Sequence, residues 1–244
     1  MRPSRLACIA EHVCASRDPT QLLVGRPVGE LPTPALLVDL DSLEHNIRVM
    51  SGKIRGEGAL WRPHTKAIRT PLLAQRLVSG GAVGVTCAKL SQAAALVDGG
   101  IKDVLIANEI VGEEKVNALV TLAGRCKLCV ACDNESNLRH ISAEAAKAGV
   151  TVGVLVDINI GMNRCGILWS NHAEISKLST LASQLPGIRY DGLVPPHPLP
   201  SSRAPLASYA AFRFSQANCR WGMTAITKVT QRPYTRRLLS PPSA

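Results

Sequence analysis

Lys66 is the residue best placed for covalent chemistry. It closes the run Arg62-Pro63-His64-Thr65-Lys66, just past a short apolar stretch, Ala59 to Trp61. Neighbouring cations (Arg62, His64, Arg69) and partial burial lower a lysine's pKa, and the neutral amine condenses with an aldehyde. A solvated basic loop accounts for the same residues, so spacing alone leaves both readings open. The second candidate is Asp157-Ile158-Asn159-Ile160-Gly161-Met162-Asn163-Arg164-Cys165-Gly166. Its glycines let the backbone bend sharply and present Arg164 as a fixed cation to an anionic oxygen. Equally, they only make a turn and Arg164 pairs with Asp157. Cys87-Ala88-Lys89-Leu90 and Asn108-Glu109 put polar groups at expected strand ends, where capping and exposure explain them as well.

Cysteine offers another chemistry, and the pattern argues against it. Eight cysteines in 244 residues do not suggest a disulfide scaffold, which fits a reduced, intracellular chain. Cys126, Cys129 and Cys132 recur every third residue like a metal or iron–sulfur motif, yet KLCVACD reads as a buried strand. Alternation sends Cys126 and Cys132 to one face and Cys129 to the other, so the three cannot share an ion. They are expected to be buried as small hydrophobes. His197 and Cys219 lack ligand spacing and are assigned to no metal.

The elements that must position Lys66 and Arg164 run from Leu31 to Leu193, where β-rich runs alternate with amphipathic stretches. Ala35 to Val38 is the first run, followed by Asp41 as an N-cap with Glu44 three residues on. Pro71 opens a helix that ends at Gly80-Gly81. The alternation then repeats: Val83 to Cys87 and Leu90 to Val97, Val104 to Ala107 and Gly112 to Ala123, Leu128 to Ala131 and Asn134 to Ala148. Val152 to Ile158 leads into GMNRCG and a helix from about Asn171 to Gln184, and Ile188 to Val194 is the last strand. Apolar strands separated by single helices signify a parallel sheet covered by helices. The predicted class is α/β, a (β/α) TIM-like barrel that is incomplete in this chain. Periodicity does not report closure, so an open doubly wound sheet stays as the alternative. No Gly-rich phosphate fingerprint follows the first strand, which counts against a dinucleotide domain. In parallel α/β folds the active site lies at the carboxyl ends of the strands, where both chemical runs fall.

The formal charge of +10 is uneven. Residues 195–244 hold seven basic residues and no acid, with five of the eight aromatics (Tyr209, Phe212, Phe214, Trp221, Tyr234). PPHPLPSSRAP is rich in breakers, a short helix fits near Leu206 to Phe214, and the rest reads as an irregular basic tail. No recognition motif accompanies the charge, so nucleic acid is not expected as a partner. No apolar run is long enough to span a membrane. Four arginines and three acids in residues 1–30 fit a cytoplasmic N-terminal extension, with a mitochondrial presequence as the alternative. The expected division is an extension over 1–30, a partial barrel over 31–194 and the tail over 195–244.

Five runs in order, TPALLVDLDSLEHNI, RPHTK, GAVGVTCAKLSQA, IKDVLIANEIVG and DINIGMNRCGI, cover roughly residues 31 to 193. In these the chain resembles the D-threonine aldolase and D-serine dehydratase family, which shares the fold of the alanine racemase amino-terminal domain. The resemblance implies a pyridoxal 5'-phosphate lyase acting on D-3-hydroxy-amino acids. It implies Lys66 as the covalent anchor of that cofactor, Arg164 as the contact to its phenolic oxygen and His64 as a neighbour shaping the site. D-threonine cleavage to glycine and acetaldehyde is the preferred reaction. D-serine conversion to pyruvate and ammonia is the alternative, and a truncated, non-catalytic cofactor-binding remnant is another. The resemblance further implies a homodimer, a divalent metal (zinc, manganese or magnesium), a Gly/Ser-rich phosphate loop and an opening strand, 35–39, that belongs with a second β-domain. The phosphate loop and the metal's His and Cys or Asp ligands have no counterpart after Leu193. There the tail reads like a frameshifted or mis-spliced product.

Overall fold

The computed structural model describes Gly25, residues 27–194, and the backbone alone of two strands, Leu6–Ile9 and Trp221–Thr224. The expectations for His197, Cys219 and a helix at 206–214 lie outside these residues. The chain divides into two compact units, residues 1–52 with 228–244 and residues 53–227.

In the first unit, β1 (Leu6–Ile9) runs antiparallel to β2 (Leu36–Asp39), with Leu6 opposite Asp39. Helix α1 (Leu40–Gly56) follows at once. Asp39, not Asp41, caps it: the Ser42 N–H donates to Asp39 Oδ1 at 3.0 Å. The cap therefore lies two residues earlier than expected, at Asp39 rather than Asp41. Asp41 stands in the first turn, where its charge meets the positive end of the dipole.

The second unit is the alternating one. Its elements are β3 (Leu60–Pro63), a 3₁₀ turn (Thr65–Ala67), α2 (Pro71–Ser79), β4 (Val85–Cys87), α3 (Leu90–Asp98) and β5 (Asp103–Glu109). They continue with α4 (Glu113–Ala123), β6 (Lys127–Cys132), α5 (Glu135–Lys147), β7 (Val152–Asn159), β8 (Ile167–Leu168), α6 (His172–Gln184), β9 (Ile188–Val194) and β10 (Trp221–Thr224). Strands β4, β5, β6, β7 and β9 lie side by side, all parallel. β3 meets β4 through a parallel bridge, His64 with Thr86, and β10 pairs with β3 in parallel. The tail therefore contains one strand that composition conceals. Two-residue β8, which the sequence pattern does not reveal either, pairs with the carboxyl end of β7. This is the TIM-like α/β arrangement expected, and no ladder joins β9 to β10 among the described residues. No described helix is long and apolar enough to cross a membrane.

Alternation sorts the core into two layers. Leu128, Val130 and Cys132 of β6 pack outward with Val104, Ile106, Val154 and Val156 against the helices. Cys129 and Ala131 face inward with Leu105, Leu155 and Val194. The evenly spaced cysteines thus diverge as the period of two requires, and all three are free. β9 changes face through a bulge between Tyr190 and Gly192, at a φ of +116° that glycine adopts without strain. Leu193 consequently packs outward and Val194 inward.

At the amino-terminal end of the strands the interior is charged. Arg62 pairs with Asp103 at 2.7 Å, Lys127 reaches the same carboxylate at 3.2 Å, and Arg189 grips Asp191 with two bonds of 2.8 and 2.7 Å. Glycines make the space: a Cβ on Gly153 would overlap Arg189 and Asp191, and one on Gly84 would overlap Asp103 and Arg62.

Candidate active site

Lys66 stands at the carboxyl end of β3 inside the 3₁₀ turn, with its side chain exposed. His64 Nδ1 caps that turn by accepting the Lys66 N–H at 3.1 Å. Burial, reinforced by the Lys66 charge, pushes the His64 pKa down to about 4, so the imidazole is neutral and can accept. Thr65 Oγ1 donates to the Thr86 carbonyl at 3.0 Å and ties the turn to β4. Thr86 is fully buried and its Oγ1 has no hydrogen-bond partner. Arg69 takes a φ of +42° and donates through Nε to the Lys66 carbonyl at 3.0 Å.

Two parts of the sequence reading change here. Arg62 does not stand beside the lysine: it is 3% exposed and turned inward to Asp103, because it lies on the inner face of β3. Lys66 is exposed rather than partly buried.

Across the sheet, the loop after β7 is pinned at both ends. Asn159 Oδ1 accepts the N–H groups of Gly161 at 3.0 Å and Asn163 at 3.1 Å, and Asn163 takes the left-handed conformation at φ +51°. The Gly166 N–H donates to Asp133 Oδ2, past the end of β6, at 2.9 Å. Gly166 lies against β7 so closely that a Cβ would sit 2.8 Å from Asn159 N. Arg164, at the crest, is exposed.

Arg164 and Asp157 form no ion pair among the described residues, which replaces the pairing that the residues alone left open. Asp157 instead accepts the Cys165 thiol at 3.3 Å, with Glu109 beside it. Burial first, then Glu109, pushes the Asp157 carboxyl up to about 7. Burial and the Asp157 carboxyl push the Cys165 thiol up to about 12, while a hydrogen bond from Arg164 opposes them. One donor atom each from Glu109, Asp157 and Cys165 lies within 4.8 Å of the others. The sequence reading missed this cluster. Glu109 ends β5 and Asp157 lies near the carboxyl end of β7, two strands away; small Ala131 of β6 stands opposite Glu109, which leaves room for the two carboxyls to approach. A layer-by-layer listing of inward positions would have found them.

A parallel barrel-like sheet with a lysine at one strand end and a pinned arginine loop at another defines an α/β fold whose candidate chemistry gathers on the carboxyl face. The profile of the alanine racemase N-terminal domain matches residues 38–213, and the chain belongs to that family. It is 38% identical over 169 residues to a D-threonine aldolase from Arthrobacter sp., covering 69% of this chain and 44% of the relative. It is 35% identical over 175 residues to a 3-hydroxy-D-aspartate aldolase from Paracoccus denitrificans, covering 70% and 44%. The crystal structure of D-threonine aldolase from Filomicrobium marinum superimposes with a TM-score of 0.62 at 40% identity, covering 64% of this chain and 42% of that one. The chain thus spans less than half the length of these relatives.

Proposed function

We propose that this chain carries the cofactor-anchoring half of a pyridoxal 5'-phosphate lyase for D-3-hydroxy-amino acids, with D-threonine cleavage to glycine and acetaldehyde as the preferred reaction. The observation that carries this reading is Lys66 in a capped turn at the carboxyl end of β3, with a neutral histidine holding the turn. Two aldolases among the relatives support the substrate class.

The residues present fit such a cofactor. An exposed amine at a strand end is available to an aldehyde, and a buried hydroxyl without a partner, Thr86 Oγ1, lies beside its turn. When bound, pyridoxal phosphate supplies an electron sink for the charge left at the substrate's α-carbon. Lys66 would hold it covalently and His64 would keep the lysine turn in place. Arg164 would offer a cation that never loses its proton to an anionic oxygen. We assign no residue of this chain to a divalent metal. The homodimer and the cytoplasmic location belong to the same proposal.

The decisive experiment is borohydride reduction of the folded chain with pyridoxal phosphate, followed by peptide mass mapping. A reduced adduct on Lys66, absent from Lys66→Ala, is the expected result. Folded protein with no adduct at that position would overturn the reading. Incubation with D-threonine and D-serine then separates glycine and acetaldehyde from pyruvate and ammonia.

A further inference from the structure

We propose that Asp157, acting through the thiol of Cys165, is a positioning residue that holds Arg164 in place. The role of Arg164 as a cofactor contact rests on the reading above, but the positioning itself does not. Cys165 follows Arg164 directly in the chain, its thiol donates to Asp157 Oδ2 at 3.3 Å, and Glu109, Asp157 and Cys165 each bring one polar atom within 4.8 Å of the others. Asp157 is 6% exposed near the carboxyl end of β7, so it is a rigid foundation for a loop whose crest is solvent-exposed. The two loop ends are already held by Asn159 and Asp133, which leaves Cys165 as the link between the crest and the barrel.

Burial and the carboxyl groups facing Asp157, Glu109 from β5 and Asp133 from beyond β6, favour its protonated form, while the hydrogen bond from Cys165 in the loop opposes them. With the proton in place, Asp157 is uncharged beside Glu109 and accepts from Cys165. Once it is lost, Asp157 and Glu109 repel, and the foundation of the loop shifts.

The test is amide hydrogen exchange of the full chain without cofactor, from pH 5.5 to 8.5, corrected for intrinsic exchange. Protection at Asn163 through Gly166 is expected to fall at least about tenfold, around a midpoint near 7, because each unit between the open and closed pKa changes the opening constant tenfold. Asp157→Asn, whose amide oxygen can accept the Cys165 thiol without a titrating proton, is expected to hold protection flat across that range. Asp157→Ala is expected to lose protection at every pH, with far-UV circular dichroism checking that it folds. A flat wild-type profile, or the same midpoint in Asp157→Asn, would overturn the proposal. Lack of an adduct on Lys66 would sink only the cofactor reading, since the exchange experiment contains no cofactor. If the adduct forms, pyridoxal phosphate affinity at pH 6 should match wild type in Asp157→Asn and drop in Asp157→Ala.

Discussion

His64 shows how the job of one side chain depends on its protonation state. As a neutral ring it caps the lysine turn through Nδ1; as an imidazolium it could not accept the Lys66 N–H. Its folded pKa near 4 lies below the ordinary 6.5, so the folded chain binds fewer protons than the unfolded chain between those values. The stability it contributes is complete above pH 6.5 and falls as pH drops toward 4. An imidazole NMR titration should show a midpoint near 4 for this ring. A midpoint near 6.5 would mean that the cap is not held. His64→Asn, whose side-chain oxygen can accept the same N–H, should retain more of the Lys66 adduct than His64→Ala. Arg62 plays a different part from the one its place in the sequence suggests. With Arg62 buried against a half-buried Asp103, Arg62→Ala should cost about 3 kcal/mol in urea unfolding, while Lys127→Ala, at an exposed side chain, should cost under about 1 kcal/mol. Neither change should abolish the adduct on Lys66.

At the scale of the element, the loop after β7 and the helix caps carry most of the local logic. Asn134 and Asn171 start helices, as their side chains suggest, and each accepts the N–H three residues on, from Asn137 and Glu174. The glycines differ in kind. Gly149 (φ +66°) has open space around it, whereas Gly166 (φ +89°) has both a left-handed backbone and the β7 backbone within 3 Å of any added Cβ. Gly149→Ala should cost about 1 kcal/mol, the ordinary strain of that conformation. Gly166→Ala should cost at least about 2 kcal/mol more, measured by denaturant unfolding, because rigid backbone cannot move aside. Equal costs would mean that the loop is not packed on the strand.

Across the whole molecule, His64 and Asp157 pull the pH dependence in opposite directions. Asp157 has a folded pKa raised to about 7 from an ordinary 3.8, so its contribution is complete below 3.8 and is lost as pH rises through 7. Between pH 4 and 6.5 one group binds an extra proton on folding and the other releases one, and the two slopes offset each other. Asp157→Asn removes one side of that balance. Its stability should fall relative to wild type as pH is lowered from 6.5 to 4, by up to about 1.4 kcal/mol per pH unit. Parallel stability curves for the two proteins would refute the pairing of these shifts. Ionisable groups of the inner layer are segregated to its two ends: Arg62, Asp103, Lys127, Arg189 and Asp191 satisfy one another at the amino-terminal end, while Leu105, Cys129 and Leu155 separate them from the carboxyl-end cluster.

Local patterns were enough for the class of fold, the order of strands and helices from β2 to β9 apart from β8, and the divergence of the three cysteines, while the family resemblance singled out Lys66 and Arg164. Period, caps and turn residues act within a few positions, and the five ordered runs are read directly from the chain. Tertiary structure alone decided that Arg62 turns to Asp103, that β9 reverses its faces at Gly192, that Trp221–Thr224 lies beside β3, and that Glu109, Asp157 and Cys165 meet. Each of these depends on register between strands distant in sequence, and register is set by packing across the sheet rather than by any neighbour along the chain.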